Sequence, residues 1–276
     1  MPIWRDRKSR AVRPYIGIVG ISSRNEAGEA GGIIQSIFTN EVTRSLTHVP
    51  QIGVQVSTET LFGLPKGLNP HLDELRLIFD TVLLGTWVPT FNVVHFNSRL
   101  RPPELIDAVM HRLCSHDCLV SDNLLHGIQF NRLFGVIPVA EFVRLKERHP
   151  QLAIILQIHS DALCLEDADI ASRAEEYSSV VDYFLLDSSG GMGVPMDLAR
   201  MTRLGSALVG RTGRALLGFA GGISGANAHE NIAALKSALG TSNFCIDAQS
   251  RLKDLRGRWS AERSRTYLQN AVVALT

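Results

Sequence analysis

The stretch ALLGFAGGISGANAHENIAALKSAL, residues 215–239, contains an apolar run of strand length, two glycines and a segment with helical spacing. Such a strand followed by a helix is the repeating unit of a parallel sheet with crossover helices. The two glycines let the backbone come close to a ligand, and a helix that starts near Asn227 or Ala228 offers free N–H groups to an anion. The stretch therefore predicts one unit of an α/β fold with a turn suited to phosphate.

The same alternation of strands and helices extends over most of the chain. The predicted strands are Tyr15 to Ile21, Gln51 to Ser57, Asn92 to Asn97, Gly127 to Asn131, Ala153 to His159, Tyr183 to Asp187, Ala215 to Ala220 and Asn243 to Asp247. Helical spacing is clearest in residues 138–149, 171–180, 197–209 and 227–239. Eight such units in 276 residues predict a single (β/α)8 barrel, which typically contains about 250 residues.

The sequence indicates one domain over residues 1–276 with a short basic N-terminal arm, residues 1–14. No linker or shift in composition divides the chain. Residues 58–91 are rich in glycine and proline, so we expect an extended loop there around a helical core at 71–83.

Composition excludes several classes of protein. Hydrophobic residues make up 45% and charged residues 20% of the chain, which excludes disordered and collagen-like architectures. A net charge of +1 provides no overall field for a nucleic acid or an anionic membrane. No apolar run approaches the roughly 18 residues of a membrane span, and the N-terminus lacks the apolar stretch of a secretion signal. We expect a cytoplasmic protein that binds neither nucleic acid nor membrane. The sequence leaves open whether it forms a homo-oligomer.

Four cysteines are too few for a disulfide framework, and we expect them to be small core residues. The segment HRLCSHDC, residues 111–118, offers two histidines and two cysteines. Structural metal sites usually combine ligands from two distant segments, because eight consecutive residues rarely wrap around an ion. We therefore expect no metal and no cofactor, and interpret this segment as the end of a helix that leads into a loop.

Polar residues two positions apart stand at the ends of five predicted strands, and residues with this spacing share one face of a strand. The pairs are Gln55 with Ser57, His95 with Asn97, Gln129 with Asn131, Gln157 with His159, and Asp247 with Gln249. Burial without partners would cost about 1–3 kcal/mol for each group, so we expect these side chains at the barrel mouth. They either bind a substrate or hydrogen-bond one another in an inner layer, and spacing does not distinguish His95 from His159 as a proton carrier.

Asp187 ends the apolar run DYFLLD and precedes SSGGMG. Desolvation at such a place can raise the pKa of a carboxyl group and keep a proton available for general-acid catalysis. The alternative is an aspartate that caps the following turn. After the eighth strand, Gln249, Ser250 and Arg251 lie next to the predicted phosphate turn.

The C-terminal third resembles phosphoribosylanthranilate isomerase, a (β/α)8 enzyme of tryptophan synthesis, most clearly over residues 183–254. The segments LLDSSGGMG, GFAGGISGANAHENI and FCIDAQSRLKD carry the resemblance, in this order. It implies that Asp187 is the general acid and that Gly191, Gly221, Gly222, Ser250 and Arg251 bind a phosphate group. The implied reaction is an Amadori rearrangement, in which an acid opens the sugar ring to an iminium ion and a base removes the C2 proton.

Three strands depart from the family pattern. The pattern Ser-Gly-x-Glu of the family's eighth strand is altered around Ser250 and Arg251. The first strand of the family carries a cysteine base in Lys-Ile-Cys-Gly, whereas this chain reads Gly17, Ile18, Val19, Gly20. The fourth strand, Gln-Leu-His-Gly in the family, reads QFNR at residues 129–132. Since valine cannot accept a proton, we expect His159 or His95 to act as the base, with an ordinary pKa near 6.5.

Three hypotheses follow. The first is an isomerase that acts on a phosphorylated sugar or sugar amine, with Asp187 and a histidine in catalysis and the polar strand ends, Gln55, Asn97, Gln129, Asn131, Gln157, Asp247 and Gln249, in substrate binding. The second is a different reaction on the same barrel, such as that of a lyase or aldolase. The third is a barrel without catalysis that serves assembly or ligand sensing. Val19 favours the second and third hypotheses, whereas the polar strand ends favour the first and second. The lack of a lysine at a predicted strand end counts against an aldolase that works through a Schiff base.

Overall fold

Eight parallel strands close into a barrel in the computed structural model, which describes residues 4–6, 11–97, 104–189 and 192–276. The strands pair in chain order, and β1 pairs with β8 to complete the ring. Their bounds are β1 Tyr15–Ile21, β2 Val49–Ser57, β3 Phe91–Asn97, β4 Gly127–Asn131, β5 Ala153–His159, β6 Tyr183–Asp187, β7 Leu216–Ala220 and β8 Cys245–Ala248. The predicted (β/α)8 fold is confirmed, and the differences lie at the ends of β2, β3, β7 and β8.

Helices cover the outside of the barrel. Their bounds are α1 Arg24–Phe38, α2 Thr58–Leu61, α3 Glu74–Gly85, α4 Glu104–Ala108, α5 Val139–Arg148, α6 Asp167–Tyr177, α7 Leu198–Leu208, α8 Ala228–Leu239 and α9 Ala261–Leu275. The predicted loop at 58–91 thus contains α2 as well as α3. Among the described helices, none combines the length and the apolar character needed to cross a membrane.

The segment HRLCSHDC is the end of a helix that leads into a turn, as predicted. A π-helix ends at Cys114, and Asp117 and Cys118 in the turn that follows have positive φ angles of 43° and 57°. Cys114 and Cys245 are buried, but Cys118 and Cys164 are exposed, so the expectation of core cysteines holds for two of the four.

Alternation along each strand separates two sets of side chains. On β5, Ile154, Leu156 and Ile158 pack in the large apolar layer between the strands and the helices. Ala153 and Ile155 belong to a second cluster inside the barrel. Because successive residues of a strand face opposite sides, the next inward positions on this strand are Gln157 and His159. The polar ends of the strands are therefore directed into the barrel rather than toward the helices.

Aromatic side chains fill the barrel at the end where the strands begin. Tyr15, Phe91 and Tyr183 pack there, and Trp4, from the predicted N-terminal arm, is fully buried among them. The indole ring lies 6.4 Å from both Phe91 and Tyr183, and its Nε1 donates to the carbonyl of Gln151 at 3.2 Å. Trp4 thus closes this end of the barrel, which leaves the opposite end as the entrance.

Candidate active site

A cavity of about 450 Å³ opens at the carboxyl ends of the strands. Within the described ranges its lining includes these residues from the sequence analysis: Asp187, His159, His95, Gln55, Asn97, Gln129, Asn131, Gln157, Asp247, Gln249, Gly221, Gly222 and Ser250. They come together because each occupies an inward position at the end of its strand or in the loop that follows. β1, the strand on which the resembling family has its cysteine, contributes none of the described lining residues.

Two of the predicted phosphate-binding residues are not in this lining. Gly191 lies outside the described residues. Arg251 is exposed and does not line the cavity, because its Nε donates to the carbonyl of Gly193 at 2.8 Å. Its side chain ties the loop after β6 to the segment after β8, and its contact with phosphate stays a prediction.

Asp187 caps the turn that follows β6, which is one of the two roles that its sequence left open. It ends β6 and lines the cavity, and its Oδ1 accepts from the backbone N–H of Ser189 at 3.0 Å and from the hydroxyl of Ser189 at 2.9 Å. Its Oδ2 accepts from Nε2 of Gln157 on the neighbouring strand at 2.8 Å. A carboxyl group that accepts three hydrogen bonds is held in one orientation, with the bonding pattern of a carboxylate.

His95 is fully enclosed on β3. Burial lowers the pKa of His95 to about 3, far from the ordinary value expected from the sequence. Its Nε2 has no hydrogen-bond partner among the described residues, and it faces Gly53, where a Cβ atom would lie only 2.7 Å away. The ring is therefore neutral at pH 7 and a weak base.

His159 contacts a residue that the sequence did not single out. Arg132, directly after β4, donates from its Nε to Nε2 of His159 at 3.1 Å, while Nδ1 of the ring lies 2.9 Å from the hydroxyl of Ser160. Because this lone pair of Nε2 is engaged, His159 accepts a proton there only after the contact with Arg132 opens. Arg132 is marked by its backbone, whose φ of 60° is rare for residues other than glycine and is visible only in the structure.

Three loops meet at one side of the mouth, after β6, β7 and β8. Gly221 has a φ of 121° and Gly222 a φ of 59°, and a Cβ on Gly222 would lie 2.3 Å from the carbonyl oxygen of Val194. A Cβ on Gly193 would come within 2.9 Å of the hydroxyl of Ser250. The glycines are thus required for the loops to pack, besides leaving the backbone of Gly221 and Gly222 open to a ligand.

The turn after β7 is closed by Asn227, the residue before α8. Its Oδ1 accepts from the N–H of Ser224 at 2.8 Å, and its Nδ2 donates to the carbonyl of Gly222 at 3.1 Å. The helix begins at Ala228, as its sequence predicted, but residues 227–230 are not among the described lining residues. The role of this helix start in binding an anion therefore stays a prediction, and the lining of the cavity includes Gly221 and Gly222 instead.

Lys253, one of six basic residues in the segment 251–265, is a cation of the mouth that the predicted site residues did not include. It follows β8 in a loop, lines the cavity, and has a pKa lowered by burial, with Glu26 acting in the opposite direction. Its Cε would lie 3.3 Å from a Cβ on Gly20, which has a φ of 100°. Gly20 lies where the register between β1 and β2 becomes irregular, and because it has no side chain, Lys253 can reach the mouth over it.

A second cavity of about 320 Å³ adjoins the first. Asn97, Asn131 and Arg132 line both, and Ser57, Glu59, Lys66 and Asn69 line the second alone. Ser57, which the sequence paired with Gln55, lies here and caps α2. No group of three or more metal-ligating side chains is found in the described part of the chain.

Known proteins were compared with this sequence and structure. No protein-family model matches the sequence, and a comparison with curated protein sequences finds no match. Solved structures, in contrast, align over nearly the whole chain. The chain is similar in structure to phosphoribosylanthranilate isomerases. The isomerase from Thermotoga maritima aligns with a TM-score of 0.57 and 14% identity over 94% of this chain and 98% of its own.

A phosphoribosylanthranilate isomerase in complex with reduced 1-(o-carboxyphenylamino)-1-deoxyribulose 5-phosphate aligns with a TM-score of 0.55 and 14% identity, over 94% of this chain and 98% of its own. A protein described as an aldolase, QR15, aligns with a TM-score of 0.50 and 12% identity over 90% and 92% of the two chains. At these identities the likeness to the isomerases and to the aldolase is one of fold, which different reactions share.

The burial of His95 predicts a pH dependence of stability. The unfolded chain takes up a proton on this ring below about pH 6.5 and the folded chain does not, so the free energy of unfolding falls as the pH is lowered. Between pH 7.5 and pH 5, His95→Gln should lose on the order of 2 kcal/mol less stability than the wild type. Urea unfolding at the two pH values measures this difference.

His229→Gln is the matched control, because His229 is exposed on α8. His48 and His126, whose pKa values burial lowers to about 4, remain in both variants and keep part of the acid sensitivity. An equal loss of stability in wild type and His95→Gln would show that this ring takes up a proton in the folded protein.

Proposed function

We propose that this protein is an enzyme that isomerises a phosphorylated sugar or sugar amine by acid/base catalysis of the Amadori type. The observation that carries the proposal is the position of Asp187, a buried, hydrogen-bonded carboxyl group on the same rim as Gly221, Gly222, Ser250 and Lys253. One side of the mouth thus offers backbone amides, a hydroxyl and a cation to a phosphate, and the centre offers a group for proton transfer.

The polar side chains of the other strands suit a hydroxylated substrate. Gln55, Asn97, Gln129, Asn131 and Gln157 line the cavity with amide groups that both donate and accept. Gln129 already donates to Asn131, and Asn131 to Asn97, so the amides form a chain across the rim. Such a chain fixes the direction of each amide and can select among hydroxyl positions of a sugar.

We assign Asp187 a different role from that of the general acid, which the sequence resemblance implies. Three donors surround its oxygens, so we assign it the role of acceptor for the carbon-bound proton, in place of the family's cysteine. Val19 stands at the position of that cysteine on β1 and is fully buried. His159 is the second candidate for the base, and His95, with its lowered pKa, the weakest.

The wild type should convert a phosphorylated aldosylamine into the 1-amino-1-deoxyketose, and Asp187→Asn should reduce kcat by at least about 100-fold. Substrate and product have equal mass, so liquid chromatography separates them and mass spectrometry quantifies the product. A panel of phosphorylated aminosugars and ketoses covers the substrate class.

Stability should change by less than about 1 kcal/mol in Asp187→Asn, because Gln157 can turn its unpartnered Oε1 toward the new amide. Asp169→Asn, a change of an exposed carboxylate on α6, is the control. Full turnover in Asp187→Asn would remove Asp187 from the mechanism, and no turnover of the panel by the wild type would reject the proposed function.

A phosphate site at the glycine turn predicts stabilisation by ligand. Millimolar inorganic phosphate or ribose 5-phosphate should raise the Tm, since a ligand that binds only the native state stabilises it. Lys253→Met should lose most of this shift and Arg256→Met, an exposed cation of the same loop, should keep it. A Tm that does not respond to phosphate, measured by differential scanning fluorimetry, would contradict the site.

Lys253 also favours a second candidate function, a lyase that works through a Schiff base. Its pKa is lowered by burial and it lines the cavity, which are the two properties that such a lysine needs.

The amine of Lys253 would attack a substrate carbonyl with loss of water, and borohydride would reduce the resulting imine to a stable adduct. Mass spectrometry should then find the adduct on Lys253 in the wild type and none in Lys253→Met. Turnover without any adduct on Lys253 would reject this candidate.

A further inference from the structure

We propose that Asp247 is the second proton-transfer group of this site, the acid that protonates the substrate's ring oxygen while Asp187 accepts the proton from carbon. The inference rests on the proposed isomerase function and extends it, because sequence reasoning gave Asp247 a part in substrate binding alone. It begins with the sheet register, in which Asp187 of β6 pairs with Ala220 of β7, and Ala220 with Asp247 of β8.

The register places the two carboxyl groups on either side of a methyl group. All three residues line the cavity. Strands in a sheet lie about 4.8 Å apart, so the α-carbons of Asp187 and Asp247 are about 10 Å apart along the sheet, with only the small side chain of Ala220 between them. A substrate seated over Ala220 therefore has one carboxyl group on each flank.

The immediate surroundings of Asp247 indicate a proton on its carboxyl group. Its Oδ1 is buried and has no hydrogen-bond partner in the described part of the chain, and neither side-chain atom of Gln51 has one. Asp247 Oδ1 and Gln51 Oε1 both lie 2.3 Å from the point that a Cβ on Gly17 would occupy. With the amide oxygen of Gln51 on this side, a proton on Asp247 removes the repulsion between the two oxygen atoms and can be shared with the amide.

Asp187 and Asp247 thus have opposite environments. Asp187 accepts three hydrogen bonds. Burial raises the pKa of Asp247 well above its ordinary value and the neighbouring charge of Asp187 raises it further, while a hydrogen bond from the backbone of Ala248 acts in the opposite direction. Two titratable groups whose surroundings favour different protonation states form the usual arrangement of an acid with a base.

Other titratable groups near Asp247 do not replace Asp187 in this pair. Tyr15 of β1, Cys245 of β8 and Tyr267 of α9 interact with it electrostatically, and burial raises the pKa of each. They are neutral in the range in which the enzyme would work. Lys253 lines the same cavity as a cation, on the side proposed for phosphate.

The two carboxyl groups return to their starting states in one turnover. Asp247 gives its proton to the ring oxygen as the C1–O bond breaks and the nitrogen forms an iminium ion. Asp187 takes the C2 proton, and the electrons of that bond form the C1–C2 double bond. Asp187 then protonates C1, and Asp247 recovers a proton from the C2 hydroxyl as the ketone forms. The reaction needs no oxidant, reductant or further reactant.

The kinetic test is Asp247→Asn, which keeps the shape of the side chain and removes the transferable proton. We expect kcat to fall by at least about 100-fold and KM to change by no more than a few-fold, with Asp169→Asn unchanged as the control. A group that only binds substrate would instead raise KM and leave kcat nearly intact, and that result would overturn the proposal.

A second measurement needs no substrate. Carbon-13 NMR of the aspartate carboxyl groups, assigned with Asp247→Asn and Asp187→Asn, should show Asp247 protonated at pH 7. Its pKa should fall in Asp187→Asn, since the neighbouring charge is gone. An ionised Asp247 at pH 7 would overturn the proposal even in an active enzyme, and would indicate that Gln51 presents its Nε2 to the carboxylate. If the wild type turns over no phosphorylated substrate, the proposed function fails and the inference fails with it, whatever the NMR result.

Discussion

A closed barrel has a single interior, and every strand must place alternate side chains in it. In this chain the requirement is met by aromatic groups at one end and by polar groups at the other. Trp4, Tyr15, Phe91 and Tyr183 exclude water from the lower part. Gln51, His95, Gln129, Gln157 and Asp247 occupy inward positions above them. The pocket is a direct result of this division, because a second apolar layer would have filled the space that the substrate needs.

Polar groups inside a barrel need room, and glycine provides it. Gly17 and Gly53 stand at inward positions of β1 and β2, where a Cβ would collide with Gln51 and Asp247 or with His95. Neighbouring strands therefore reach across the space that these two residues leave empty. Several polar atoms of this layer, such as Nε2 of His95 and Oε1 of Gln129, have no hydrogen-bond partner in the described part of the chain, and leaving such atoms unpaired costs stability.

The similarity to phosphoribosylanthranilate isomerases concerns the fold, and the chemistry depends on single positions. In this chain β1 carries Val19 and gives the described cavity no lining side chain. β6, β7 and β8 bring a carboxyl group, two glycines and a second carboxyl group to one side. In the proposed mechanism β8, and not β1, supplies the proton-transfer partner of Asp187.

The sequence by itself determined the barrel and most of the residues at its mouth. Strand alternation is a local property, so the pairs that end in Asn97, Asn131, His159 and Gln249 could be assigned to the interior without coordinates. Protonation and partners were decided only by tertiary structure. The burial of His95, the contact of Arg132 with His159, the route of Lys253 over Gly20 and the meeting of Asp247 with Gln51 all join residues distant in sequence. Desolvation and electrostatic coupling depend on distances between strands, and those distances exist only once the ring has closed.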